Sequence, residues 1–314
     1  MTARISLQAT LSILENCLGA PSLVDGPPNA TAHNAQARFL RQGLAVLVFS
    51  AMESFIRERA AEVLLTFNHK SLSFNDLSPA LQKATTIGAL EGVRFRLRLQ
   101  PAISRINWLS TAIAPIASAP NDISNLSKHS FGHAASNLDE EDVDNILRAF
   151  GLDAPWHQMN QTTSRCGITV MDCKTEFIAI KERRHDAAHA LTANVLHPDL
   201  VASVRSARAI CLAFDLLLSN ARNLFNAGSG PGLSGRPKMT HSSLNLVFMK
   251  ATGVADEFQF RKEPASPTAQ PPKVIRRIKG VATALQFAER HVRRNPRHVV
   301  VQEASGTASD WVTC

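Results

Sequence analysis

The sequence predicts an all-α protein, in which a helical bundle is followed by a linker-rich, partly disordered C-terminal extension. Three observations favour this fold class. Apolar residues recur every three or four positions over long stretches, which is the period of a helix with one buried face. Strict alternation of apolar and polar residues is scarce, so a large sheet is not expected. The composition is 45% hydrophobic and only 6% aromatic, and it is rich in the helix formers Ala and Leu.

Two long helices are predicted to form the core. The first covers about residues 39–67, and its apolar stripe consists of Leu40, Leu44, Leu47, Ala51, Phe55, Ala60, Val63 and Phe67. The second runs from about Pro198 to Phe225, with Pro198 in its first turn and Gly228 after its end. Its stripe consists of Leu200, Val204, Ala207, Cys211, Phe214, Leu218, Ala221 and Phe225. We therefore expect Leu47→Asp and Phe214→Asp to unfold the domain.

Further helices are expected between these two, over about residues 80–98, 102–113, 139–150 and 169–190. The helix over 139–150 is opened by Asn137 and an acidic group, and acidic side chains favour a helix N-terminus. The helix over 169–190 should turn Met171, Phe177 and Ile178 inward. Short connections between several amphipathic helices indicate a bundle.

The composition changes after Phe225, and we place a domain boundary near residue 226. A Gly- and Ser-rich segment over 228–237 predicts a flexible linker, and the Pro-rich segment 263–272 predicts a stiffer one. The predicted division is a helical domain over 1–226, a linker region over 227–272 and a basic extension over 273–314. A short apolar run, Leu244 to Met249, and an amphipathic basic helix over 280–294 are each too small to form a core alone.

The positive charge of the chain is concentrated in this extension. The chain carries a formal net charge of +8, and the segment 273–298 holds eight Lys and Arg residues against one Glu. A basic segment beside a nearly neutral body favours a polyanion or an acidic protein as partner, and a solvated basic tail is the alternative. The candidate nucleic-acid contacts are Arg276, Arg277, Lys279, Arg293 and Arg294.

The cysteines and the N-terminus predict a cytoplasmic protein. Five scattered cysteines without a CxxC pair favour neither a disulfide framework nor a thiolate zinc site. The N-terminus does not have the pattern of a signal peptide. The longest apolar run, about Gly43 to Phe49, is too short to cross a bilayer, so no membrane association is expected.

One short motif carries chemistry. Arg184 and His189 bracket four residues late in a predicted helix, and the polar His185 follows the arginine. This arrangement resembles the R-x(4–6)-H signature of HEPN ribonucleases. A second match, Arg293 to His298, contains Pro296 and should not lie within a helix.

Two upstream segments support the first match. The segment 50–57 is similar to the early helix of HEPN domains, where a small-residue turn precedes a glutamate and an aromatic residue. The stretch 133–152, followed by Trp156, resembles the middle of the RiboL-PSP-type HEPN subfamily. The resemblance covers about residues 5–226 and makes the expected fold a HEPN-type helical bundle.

The resemblance implies a metal-independent endoribonuclease that needs no cofactor. RNA supplies its own 2′-hydroxyl as the nucleophile, so the protein has to move protons and stabilise the phosphate charge. By resemblance, His189 is the acid or base, Arg184 binds the phosphate and His185 assists. Supporting roles fall to Asp186 and Arg183. Glu53 would face the active-site cleft and set the protonation of the histidine, although a surface glutamate is the plainer interpretation.

The resemblance also implies partners. Residues five apart on a helix are separated by about 140°, so Arg184 and His189 would not share a face. Family members pair such helices across a two-fold axis, which implies a homodimer with a composite active site. HEPN ribonucleases commonly act as toxins or anti-phage effectors, so an inhibitory antitoxin or a defence-system partner protein is expected.

Two alternatives remain open from the sequence. Glu182, His185 and His189 are spaced so that they could bind a metal ion from one helix face. A catalytically inactive HEPN bundle that works as a scaffold or antitoxin-like binding module would have the same fold. The plainest interpretation is that these arginines and histidines only form a polar helix end.

Overall fold

A computed structural model of the chain describes residues 2–67, 72–131, 137–170, 172–190, 192–230, 232–263 and 273–313. The all-α fold class is wrong, because a helical body is followed by a five-stranded mixed sheet. Three predicted features fall outside the described residues. They are Met171, which was expected to point inward, residues 133–136 of the upstream segment, and nearly all of the Pro-rich linker.

Most of the predicted helices are present. The helices are α1 Ala3–Leu18, α2 Thr31–Leu65, α3 Pro79–Lys83, α4 Ala89–Arg98, α5 Arg105–Ser118, α6 Glu140–Ala149, α7 Pro155–Arg165, α8 Cys173–His189, α9 His197–Asn226 and α10 Val281–Arg294. A π-helical turn over Ala84–Gly88 joins α3 to α4. The sequence did not indicate α1 and α7. The strands are β1 Leu246–Ala251, β2 Glu257–Lys262, β3 Val274–Lys279, β4 His298–Gln302 and β5 Ala308–Val312.

The core of the body lies between α2, α8 and α9. Phe49 of α2 contacts Phe177 of α8, and Phe55 of α2 contacts Phe214 of α9, in both cases edge to face. The stripe predicted for α9 is buried throughout, and over residues 209–221 the helix is buried on every side. Helix α9 is therefore the central helix of the body.

The buried face of α2 matches the predicted stripe at Phe55, Ala60 and Val63 and differs from it in the first half of the helix. Leu40 and Leu47 are 42% and 54% exposed, whereas Val48 and Met52 are fully buried. Among the described residues α2 is also the helix that could cross a membrane by length and composition alone. A helix packed into a protein core passes the same test, and the buried face of α2 against α8 and α9 is of that kind.

Polar residues occupy buried positions on α2 because distant backbone and side-chain groups satisfy them. The Arg41 Nε atom donates to the carbonyl of Val195, and the Gln42 amide donates to the carbonyl of Ala193. Both bonds fasten the segment after α8 to the first half of α2. The buried stripe of α2 therefore includes hydrogen-bonded polar groups as well as apolar ones.

The sheet has the strand order β3-β2-β1-β4-β5, with β1 and β4 parallel and all other neighbours antiparallel. Helix α10 covers one face, where Val247, Phe260 and Ala288 belong to a separate small core. The other face packs on the helical body through Val300 and Trp311, which belong to the main core. The described part of the extension is thus a folded layer on the body.

A buried polar cluster joins this layer to the body. The carboxylate of Asp215 in α9 is fully buried and accepts hydrogen bonds from Arg59 Nε at 2.7 Å and from Trp311 Nε1 at 2.8 Å. Ser219 and Thr313 donate to the same carboxylate. Helices α2 and α9 and the end of β5 therefore meet at one charged group.

The segment expected to be a flexible linker also lies along the body. The Ser78 amide donates to the carbonyl of Gly232, and the Met239 amide donates to the carbonyl of Gly151. Leu233 is buried in the main core together with Met239. The sheet takes β1 and β2 from the predicted linker region and the remaining strands from the predicted extension. The division of the chain into three domains stays a prediction.

Candidate active site

Helix α8 carries the motif and begins at a well-defined cap. Asp172 accepts a hydrogen bond from the Thr175 amide at 2.8 Å, which satisfies one of the free amides of the first turn. Asn160 of α7 holds this cap by donating to Asp172 and accepting from the Cys173 amide. The N-terminus of α8 is thus fixed against α7.

The buried stripe of α8 leads to the motif arginine. Cys173, Phe177 and Ile180 are buried in the main core. Arg184 continues this stripe four residues after Ile180 and is partly buried, whereas His185 is exposed. The helical period therefore places Arg184 at the edge of the core and His185 towards solvent.

Arg184 and His185 line an open cleft of about 530 Å³. One wall is α8, and the other is formed by Asn137 and Asp139 at the start of α6. The full lining is Asn137, Asp139, Lys181, Glu182, Arg184, His185 and Asp186. Within the described part of the chain, the Nε atom of Arg184 is buried and has no hydrogen-bond partner. The cleft thus contains a guanidinium group whose Nε donor is unused.

The wall opposite α8 is held by the glutamate that was predicted to face the cleft. Glu53 Oε1 accepts a hydrogen bond from the Leu138 amide at 2.7 Å and pairs with Arg57 at 2.8 Å. Glu53 therefore contacts the backbone of the cleft wall, and no histidine is among its described partners. This contact fixes the position of Asn137 and Asp139 relative to α2.

An ion pair joins α8 to α6 beside the cleft. Lys181 Nζ lies 2.6 Å from Glu140 Oε2, and both side chains are about one third exposed. The hydrogen bond from Lys181 and a backbone hydrogen bond lower the pKa of the Glu140 carboxyl below its usual value. A capping box between Asp139 and Asp142 stabilises the first turn of α6 at the same point. The sequence indicated these acidic residues only as a helix start.

The two motif histidines lie together on the exposed side of α8. The ring centroids of His185 and His189 are 4.7 Å apart, and both residues are exposed. His189 is the last residue of the helix and does not line the cleft. The structure thus brings Arg184, His185 and Asp186 together, and His189 joins them through its contact with His185.

The remaining motif residues have structural contacts. Arg183 donates to Ser203 Oγ of α9 at 3.2 Å and does not line the cleft. In the described parts of the chain, no three His, Cys, Asp or Glu side chains are grouped so that they could hold a metal ion. Glu182, His185 and His189 therefore do not form a ligand set.

The C-terminal candidates lie on the sheet layer. Arg276, Arg277 and Lys279 are exposed on β3, and Arg293 and Arg294 are exposed at the end of α10. None of these residues lines the motif cleft. The second match to the motif is broken, because α10 ends at Arg294 and His298 is fully buried at the start of β4.

Comparison with known proteins identifies the helical part of the chain. Residues 21–220 match the family model described as RiboL-PSP-HEPN. The match covers more than half of the 314 residues, from before α2 into the last third of α9, and it confirms the resemblance inferred from the motif and the upstream segments. No curated protein and no solved structure matches the chain.

Proposed function

The chain belongs to the RiboL-PSP-HEPN family, and on this premise we propose that it is an endoribonuclease that cleaves RNA without a metal ion. The observation that carries the proposal is the position of Arg184, which lines an open cleft next to His185 with a buried Nε that has no partner among the described residues. A guanidinium is planar and can bind two phosphate oxygens at once. Arg184 is therefore proposed to bind the scissile phosphate.

The histidines are proposed to move the protons. Cleavage forms a bond between the 2′-oxygen and phosphorus and breaks the bond from phosphorus to the 5′-oxygen, which leaves a 2′,3′-cyclic phosphate and a 5′-hydroxyl. One imidazole takes the proton of the 2′-hydroxyl, and an imidazolium gives a proton to the departing 5′-oxygen. Histidine suits both steps because it exchanges protons near neutral pH. His189 is proposed to react with the substrate, and His185, which contacts both the cleft and the His189 ring, is proposed to assist it.

The composite site is proposed to form between two copies of the chain. Arg184 lies at the edge of the core, whereas His189 ends the helix outside the cleft, so one copy does not place both groups on one phosphate. The exposed residues Leu40 and Leu47 form an apolar face on α2, and Gly43 between them leaves open space where a side chain would be. This face is proposed to contact the second copy, because Arg41 and Gln42 tie the same part of α2 to the segment that follows His189.

Point variants with matched controls test the proposal. Arg184→Ala should slow cleavage by about 10²–10³-fold, the usual loss for one donor to a developing oxyanion. His189→Ala should slow it by about 10²–10⁴-fold, the usual contribution of a proton-transferring group. Arg205→Ala on α9 and His157→Ala on α7 remove exposed residues of the same types outside the cleft and should leave cleavage unchanged.

The product chemistry and the need for metal are tested in the same assay. Cleavage should persist in excess chelator and should stop when the nucleotide at the cut carries a 2′-deoxyribose. Loss of activity in chelator would exclude the metal-independent mechanism. Normal activity of both Arg184→Ala and His189→Ala would exclude the assigned residues. A chain that cleaves no RNA in any form would favour the inactive binding module.

The biological role is proposed from the family alone. A toxin or anti-phage effector of the cytoplasm should arrest growth when it is expressed, and the arrest should vanish in Arg184→Ala. Sequencing of RNA ends after induction would then identify the target. An inhibitory antitoxin or a defence-system partner protein is proposed as the restraint, and growth arrest that persists equally in the active-site variant would refute this role.

A further inference from the structure

A second groove lies beside the motif cleft, between α2 and the hairpin of α4 and α5. Its volume is about 400 Å³. Helix α2 supplies one side, the α4 end and α5 supply the other, and the turn at 128–129 closes it. The lining residues are Ser54, Arg57, Glu58, Ala61, Arg96, Gln100, Trp108, Lys128 and His129. The sequence analysis assigned no function to the residues that line this groove.

The groove combines positive charge with an aromatic surface. Arg57, Arg96 and Lys128 line it, and Glu58 is the acidic residue of the lining. Trp108 is half-buried and its ring centroid lies 5.6 Å from that of His129, so the two rings form one tilted aromatic wall. Burial, together with the nearby charges of Lys128 and Arg96, lowers the pKa of His129, so this ring is neutral at neutral pH.

The His129 side of the wall is fixed in place. His129 is buried, and its amide donates to Ser127 Oγ in a turn that Ser130 also closes through the Ser127 carbonyl. On either side of this turn, Leu126 and Phe131 are buried in the main core. The His129 ring is therefore held by the body of the protein, and Trp108 of α5 packs against it.

A short chain of contacts links the groove to the motif cleft. Arg57 lines the groove and pairs with Glu53, and Glu53 accepts a hydrogen bond from the Leu138 amide. The neighbours of Leu138 on both sides, Asn137 and Asp139, line the motif cleft. The groove and the motif cleft are thus joined through Arg57, Glu53 and the backbone of Leu138.

We propose that this groove binds a nucleotide of single-stranded RNA next to the cleavage point, with its base stacked on Trp108 and its phosphate near Arg57 and Arg96. The proposal rests on the proposed ribonuclease function. Single-stranded nucleic acid is the ligand class whose phosphates match the cations and whose bases match the aromatic wall. Base stacking tolerates every sequence, so the groove orients the strand without dictating the base.

The test uses the full chain and a labelled octamer of mixed sequence that carries 2′-O-methyl groups and cannot be cleaved by the 2′-oxygen. Trp108→Ala should raise the Kd for the octamer by about 5- to 150-fold, the range for loss of one base stack, and Trp108→Phe should largely restore binding. Arg96→Gln should weaken binding and reduce the slope of log K against log salt by about 0.7, as expected for one lost phosphate contact on a single strand. Arg98→Gln, on the exposed part of α4 outside the groove, is the matched control.

The outcomes separate this proposal from the ribonuclease proposal. Equal Kd values for wild type, Trp108→Ala and Arg96→Gln, or no binding of the octamer by wild type, would overturn the groove even if Arg184→Ala abolishes RNA cleavage. Octamer binding that is weakened in both groove variants and not in Arg98→Gln supports RNA binding by the groove. This holds even if the chain cleaves no RNA, and in that case only the ribonuclease proposal fails. Thermal unfolding of each variant shows whether the fold is retained.

Discussion

Replacement of Asp215 by alanine should destabilise the whole chain, because this carboxylate joins the sheet layer to the helical body. Its four hydrogen bonds come from Arg59, Ser219, Trp311 and Thr313. Removing one partner of a buried ion pair costs about 3–5 kcal/mol, because Arg59 loses its buried counter-charge and keeps the pair with the partly exposed Glu62. For 314 residues and an unfolding entropy of about 2.1 cal/mol/K per residue, this corresponds to a fall in Tm of about 5–8 °C.

Thermal unfolding followed by circular dichroism and tryptophan fluorescence would measure this change. Asp144→Ala is the matched control, since its ion pair with Arg148 on α6 is solvent-exposed and worth about 0.5 kcal/mol. Melting of Asp215→Ala within about 1 °C of the control would refute the reasoning. In a Trp108→Phe, Trp156→Phe background, where Trp311 is the remaining tryptophan, a fluorescence change well before the helices melt would refute the tight coupling of sheet and body.

The same carboxylate has a predictable pH dependence. Burial raises the pKa of Asp215, but the Arg59 charge and the hydrogen bonds from Trp311, Arg59 and Ser219 outweigh it, so the pKa in the folded chain is lowered. A lowered carboxyl pKa contributes stability above the unfolded value of about 4, and this stability is lost as the pH falls through the folded value. Asp215→Ala should therefore lose less stability than wild type when the pH is lowered from about 5 to 3.

Three further tests concern individual contacts. Leu47→Asp should leave the Tm nearly unchanged, because Leu47 is 54% exposed, and it should weaken self-association measured by sedimentation. Phe214→Asp should unfold the body, because Phe214 is buried. Unfolding by Leu47→Asp would contradict the described face of α2. Glu53→Ala should lower the rate of RNA cleavage, because it releases the Leu138 amide. Glu53→Gln keeps an acceptor oxygen and should leave the rate unchanged. Equal losses of cleavage rate in both variants would show that the charge of Glu53 matters instead. Burial lowers the pKa of His298 to about 4. The unfolded chain therefore takes up a proton below about pH 6.5 that the folded chain cannot, and stability falls by up to about 1.4 kcal/mol per pH unit. His298→Leu should flatten the decline of the urea midpoint between pH 7 and 5, and an unchanged decline would contradict this account.

Helices were predictable where their signals are local. The 3.6-residue period and the flanking Pro and Asn located α9 within one residue at each end, and the basic amphipathic pattern located α10. The buried face of the first half of α2 could not be found in this way. Arg41 and Gln42 are buried there because carbonyl groups about 150 residues later accept their hydrogen bonds, and nothing in the local pattern shows those acceptors.

The sheet was missed for a different physical reason. The central strands β1 and β4 are paired in parallel and buried between α10 and the body, so they are apolar without alternation. Such short runs cannot be distinguished from pieces of a buried helix by period alone. On β3 the exposed cations Arg276 and Arg277 instead suggested a solvated tail.

The site was predictable to the extent that it lies on one helix. The spacing of Arg184, His185 and His189 on α8 was visible, and the structure adds that the first two line a cleft. The opposite wall begins some 45 residues earlier, and its contact with Glu53 runs through the backbone amide of Leu138. A hydrogen bond donated by a backbone amide leaves no residue pattern, so Asn137 and Asp139 were seen only as the start of a helix.

The docking of the sheet changes how its basic residues can be tested. Truncation at residue 226 would remove Trp311 from the main core. The buried Asp215 would lose the Trp311 donor, and Arg59 would lose the Thr313 acceptor. A loss of RNA binding in the truncated chain would therefore report unfolding. Charge removal at Arg276 and Arg277 keeps β3 and avoids this problem, since both side chains are exposed. If they contact RNA phosphates, each Arg→Gln change should lower the slope of log K against log salt by about 0.7. An unchanged slope would exclude Arg276 and Arg277 from the RNA path and leave the cations of α10, of α8 and of the α2 groove as candidates.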